Sequence, residues 1–121
     1  MLECLWVALG GAVGSVCRYA VGKIPITETT GFPVKTWLIN VAGSFLIGLI
    51  AAAAGKKADL NPDLLLFLKV GICGGFTTFS TFALETTDLL RSGKFCMAAA
   101  YVAFSAVCSV AAVFLAQQLV R

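Results

Sequence analysis

Charge is what this sequence has least of: Asp, Glu, Lys and Arg together make up 12% of its 121 residues, and histidine is absent. A water-soluble domain of this size needs a polar surface that so few charges cannot build. Without histidine there is no Cys-His nucleophile, and most metal-site patterns fall away. The five cysteines (Cys4, Cys17, Cys73, Cys96 and Cys108) contain no CxxC pair. Four of them sit inside apolar stretches, so they read as small packing residues. The net charge of +3 comes with no basic run and no basic amphipathic face, which excludes a nucleic-acid surface. Paired carboxylates are missing too, as is a nucleophile with its base, so an enzyme is excluded in this reading.

What is abundant is apolar sequence, 60% of the chain, with a mean hydropathy of +0.95. The solvent that suits it is lipid. A hydrocarbon core about 30 Å thick asks for about 20 largely apolar residues per crossing helix. Four such stretches occupy positions 4–22, 36–54, 63–90 and 95–120. They use up the chain as a single all-α, four-helix transmembrane domain over 1–121. The runs are continuous rather than alternating, which excludes barrel strands. The last covers about 39 Å as a helix, enough to cross with some tilt. The first carries Glu3 and no Lys or Arg ahead of its apolar run, so it reads as a retained span rather than a cleaved leader.

The connections hold the punctuation: Pro25, Gly31 and Pro33 after the first span, Asn61-Pro62-Asp63 as a helix start before the third, and a short turn at 91–94. With four spans, Lys56, Lys57 and Arg121 share one side of the membrane, and Lys23, Lys35, Arg91 and Lys94 share the other. Orientation follows the Lys/Arg imbalance between loops, and here the imbalance is slight. Such a chain can insert either way up, which permits an antiparallel two-fold pair. A fixed orientation with a weak bias is the other reading.

Several residues are out of place in lipid. In the third span, Gly71-Ile72-Cys73-Gly74-Gly75-Phe76-Thr77-Thr78-Phe79-Ser80-Thr81-Phe82 sets glycines beside four hydroxyls and three phenylalanines. Each glycine weakens a helix by about 1 kcal/mol relative to alanine. The stretch is therefore either a helix break whose freed carbonyls suit a hard cation, or a notch for helix packing. Phe79 and Phe82 share a helix face; they are either ordinary lipid-facing or core rings, or rings whose positive edges meet an anion without trapping it. Asn40 places an amide one turn inside the second span, where it either donates to an anion or bridges helices. Tyr101, Ser105 and Ser109 recur every fourth residue, a polar stripe on the last helix. Arg18 is the one charge inside the first apolar run; it either snorkels to the interface or draws anions into a vestibule. Glu85 and Asp88 fall near the end of the third span and read as interfacial. Gly10, Gly14, Gly43 and Gly48 allow close helix approach.

These residues together resemble one family, the Fluc-type bacterial fluoride channels, also known for camphor resistance. The likeness runs along nearly the whole chain. It rests on Gly10-Gly11-x-x-Gly14-x-x-x-Arg18-Tyr19, on Asn40-x-x-Gly43-Ser44-Phe45-x-x-Gly48, and above all on the Gly71–Phe82 string. The resemblance implies a fluoride-selective channel, an antiparallel, dual-topology homodimer in the inner membrane that exports cytoplasmic fluoride passively. It implies a structural sodium ion at the dimer axis, held by the backbone carbonyls of Gly74 and Thr77. It also implies a pore lined by Asn40, Phe79, Ser80, Thr81, Phe82, Tyr101, Ser105 and Ser109, with Arg18 in the vestibule.

Two other functions suit a short four-span chain. A small drug/proton antiporter needs a titratable carboxylate deep in the membrane, and Glu3, the only acid in the first span, lies at its mouth. A non-transporting membrane scaffold accounts for the glycines but not for polar and aromatic residues converging on one stretch.

Overall fold

The computed structural model describes residues 1–26, 30–56 and 59–120. Lys57 and Arg121, both counted in the charge comparison above, lie outside the described residues. Among those described, the chain is helix and turn without strand. Helix α1 covers Leu2–Gly22 and α2 covers Val34–Lys56. The third span is built in pieces: α3 (Pro62–Leu65), a π-helical stretch π1 (Leu66–Cys73) and α4 (Gly74–Phe76), then α5 (Phe79–Arg91) after an interruption. Helix α6 covers Phe95–Val120. All four spans are long and apolar enough to cross a membrane, and their ends fall within two residues of the limits read from the sequence.

Local chemistry sets the boundaries. Asn61 accepts the Asp63 N–H at 2.9 Å in front of Pro62, so α3 starts where the Asn-Pro pair predicts. Between α5 and α6, Gly93 adopts φ +78°, the Gly93 N–H donates to the Leu90 carbonyl, and the Lys94 N–H reaches back to Leu89. That is a Schellman closure, which needs glycine at the left-handed position and folds α6 back along α5. Leu89, Ala98 and Tyr101 are buried there against Phe32, Trp37, Phe82 and Met97. Trp37 thus packs on the inner side of this end.

Two helix pairs carry the assembly: α1 packs along π1 and α4, and α2 packs along α6. In lipid this closeness comes from small residues rather than from hydrophobic exclusion. Gly10 and Gly71 meet backbone to backbone: a Cβ on Gly71 would come 2.7 Å from the Gly10 Cα. Gly48 does the same service for α2, where a Cβ would lie 2.8 Å from the Val113 carbonyl of α6. The glycine faces expected from the sequence are thus helix contacts.

Candidate functional site

The third span breaks at Thr77 and Thr78, whose backbones are extended (φ −84°, ψ 157° and φ −147°, ψ 117°). The glycines ahead of them stay helical, Gly74 with φ −63° and ψ −40°. The interruption foreseen from the glycines is therefore real but falls just beyond them, on the threonines. β-branched threonine favours extended backbone, and its hydroxyl can replace a helical hydrogen bond. Thr77 Oγ1 donates to the Cys73 carbonyl at 2.9 Å, closing the end of α4. Thr78 Oγ1 accepts the Thr81 N–H at 3.2 Å and lies 3.0 Å from Thr81 Oγ1, which caps α5.

Asn40 holds the break open from α2. Its Nδ2 donates to the Thr78 carbonyl at 3.1 Å, and its Oδ1 accepts the Thr78 N–H at 2.8 Å. An amide paired with the backbone N–H and C=O of one residue replaces two lost helical partners, which in lipid cost several kcal/mol each if left bare. From the other side, Arg18 of α1 donates through Nε to the Gly75 carbonyl at 3.1 Å. A cation at the carbonyl end of α4 opposes the negative end of that helical segment. Of the two readings for Arg18 and the two for Asn40, the structure shows each bonded to backbone at the break.

The broken ends leave groups free. Among the described residues the carbonyls of Gly74, Phe76 and Thr77 accept no hydrogen bond, and the N–H groups of Phe79 and Ser80 donate none. The carbonyl end of α4 favours a cation, and the N–H groups that open α5 favour an anion.

Alongside the break runs a groove of about 810 Å³. Asn40, Phe79, Phe82, Ser105, Ser109, Gly74 and Thr77, all singled out from the sequence, line it. Ser105 is buried, and its Oγ has no partner among the described residues. Ser44 lines the groove as well and donates to the Asn40 carbonyl at 2.7 Å. Phe79, 80% exposed in the single chain, leans on Phe82 with ring centroids 5.6 Å apart.

Four candidates stand elsewhere. Thr81 serves the α5 cap, Ser80 is exposed, Arg18 lies on the α1 side, and Tyr101 is fully buried behind Phe82, 5.1 Å between ring centroids. Tyr101 Oη donates to Glu85 Oε1 at 2.8 Å, and Thr36 Oγ1 donates to Glu85 Oε2 at 3.0 Å. Glu85 is therefore half-buried between α2 and α6. Little along the chain signals this, because its partners come from two other helices; only the i, i+3 spacing from Phe82 ties it to the aromatic face.

A four-span membrane protein with a broken, glycine-packed third helix and a polar groove beside the break is a narrow class. Residues 5–117 match the family described as CrcB-like protein, Camphor Resistance (CrcB), and the chain belongs to that family. It is similar to the fluoride-specific ion channel FluC of Nitrobacter winogradskyi, 49% identical over 97% of this chain and 94% of the relative. The FluC of Allorhizobium ampelinum is 47% identical over 94% and 92%. That of Methylobacillus flagellatus is 39% identical over 100% and 96%. These relatives are channels rather than enzymes, and they favour neither the antiporter nor the scaffold reading.

Proposed function

We propose that this chain, like its relatives named as fluoride-specific channels, conducts fluoride; it does so passively across the cell's inner membrane, relieving the cytoplasm of the ion. The observation that carries the reading is the Asn40–Thr78 pairing, which keeps a helix break open beside a groove with donors of modest strength. A small halide entering lipid must replace its water, and it must also be able to leave. Ser105 Oγ, the N–H groups at the start of α5 and the edges of Phe79 and Phe82 supply neutral contacts, while no lining residue is acidic among those described. Ser109 continues the hydroxyls, Tyr101 backs the Phe82 ring, and Ser80 and Thr81 open α5 beside Phe79 and Phe82.

The groove lies open on the surface of a single chain, and the slight Lys/Arg imbalance lets the chain insert both ways. Both features support an antiparallel, dual-topology homodimer in which a second copy closes the groove. The donor set also fits a sodium ion shared between copies. The Gly74 and Thr77 carbonyls are free oxygen ligands, the kind hard cations prefer, and a Cβ at Gly74 would meet nothing within 4 Å, so a second chain has room to approach. When bound, such an ion raises the electrostatic potential for anions near the break.

The test is efflux from liposomes holding the purified chain, read with a fluoride electrode and a chloride electrode. Rapid fluoride release with chloride retained is the expected result. Equal leakage of both, or of neither, would refute the assignment.

A further inference from the structure

We propose that Lys69 is a fixed cation at the second mouth of the groove, drawing fluoride along the Ser105–Ser109 side of α6; this rests on the channel reading above. Among the described residues it is the only charged one lining the groove. It is exposed, and its ammonium makes no hydrogen bond or ion pair there. It lies seven residues beyond Pro62, about 10 Å along the span, where a lysine is costly unless it reaches water or an anion.

Helical spacing explains how it gets there. Residues four apart lie only about 40° from each other around a helix, on one face. Lys69 and Val70, then Cys73 and Gly74, then Thr77 and Thr78 recur at that spacing as one strip, and all six line the groove. The opposite strip of Phe67, Gly71, Ile72, Gly75 and Phe76 is spoken for by α1, lying against Gly10, Gly11 and Gly14.

Because α6 runs back along the third span from Ala98 beside Leu89, its Ser105 and Ser109 step from the break toward Lys69. Phe82 and Asn40 stand at one end of this path and Lys69 at the other. Ser105 Oγ, buried and without a partner among the described residues, lines the same groove.

A charge that works by attraction at a distance has a signature in salt. Fluoride efflux from liposomes should be compared for the parent chain, Lys69→Gln and Lys69→Arg, in an impermeant electrolyte at about 0.01 M and about 1 M, where the screening length falls from about 30 Å to about 3 Å. Lys69→Gln is expected to lower the rate about tenfold at low salt, with the difference fading at high salt, and Lys69→Arg to keep the parent rate. A merely structural lysine would leave a salt-independent loss, and that outcome overturns the proposal, as does a parent-like rate for Lys69→Gln at both salts. Phe82→Ile, run alongside, separates the two readings. If it slows efflux while Lys69→Gln does not, the lysine proposal alone fails. If neither slows efflux, the groove is not the path.

Discussion

Asn40 uses both polar atoms of its amide on the Thr78 peptide, and this single pairing decides what a substitution there does. Asn40→Asp keeps an acceptor for the Thr78 N–H but offers no donor to its carbonyl, and it adds a negative charge to the groove. Fluoride efflux should fall at least about tenfold by charge repulsion, with a stability loss of about 1–3 kcal/mol from the stranded carbonyl. Thermal unfolding in detergent measures the second effect apart from the first. Asn40→Ala should show the stability loss without the charge effect. The phenylalanines give a cleaner test of chemistry against shape. Isoleucine fills much of the space of a ring but has no electropositive edge, so Phe79→Ile or Phe82→Ile should slow fluoride efflux while the purified chain keeps its oligomeric size. Parent-like rates in both variants would remove the rings from the pathway.

Between helices, the governing quantity is backbone distance. A Cβ on Gly14 would press on the Ile72 carbonyl and come 2.8 Å from the Phe76 nitrogen, and both belong to the segment that leads into the break. Backbone atoms cannot swing aside as a side-chain end can. Gly14→Ala should therefore destabilise the protein by about 1–3 kcal/mol through forced separation of α1 from π1 and α4. Gly22→Ala is the control: nothing lies within 4 Å of its added Cβ, so it should be close to neutral. Melting curves of the two variants side by side decide the matter. The sequence showed that these glycines serve helix contact. It did not show which helix they contact, because small-residue spacing defines a face without naming the partner.

For the molecule as a whole, the proposed antiparallel pair has consequences that can be measured. An antiparallel pair predicts that lysine-reactive cross-linking of the purified chain yields a dimer and no larger species. It also predicts that replacing Lys23 and Arg91 with Gln, both on the same side, biases insertion toward one orientation. Channel activity should then fall when that variant is expressed alone and return when it is mixed with a variant biased the other way. A parallel or monomeric channel would show no such complementation.

The chain's own composition determined the solvent, the four crossings and their limits to within two residues, because apolar run length is a one-dimensional property that lipid thickness reads directly. The odd glycine-threonine-phenylalanine string likewise marked where helix geometry would fail. What only the tertiary structure decided was rotation about the helix axes and the partners this rotation brings together. It moved the break from the glycines to Thr77 and Thr78, joined Asn40 to Thr78, set Glu85 between Thr36 and Tyr101, and turned Lys69 into the groove. Those outcomes depend on which span each glycine face and polar side chain meets, and spacing along one chain marks a face without naming its partner.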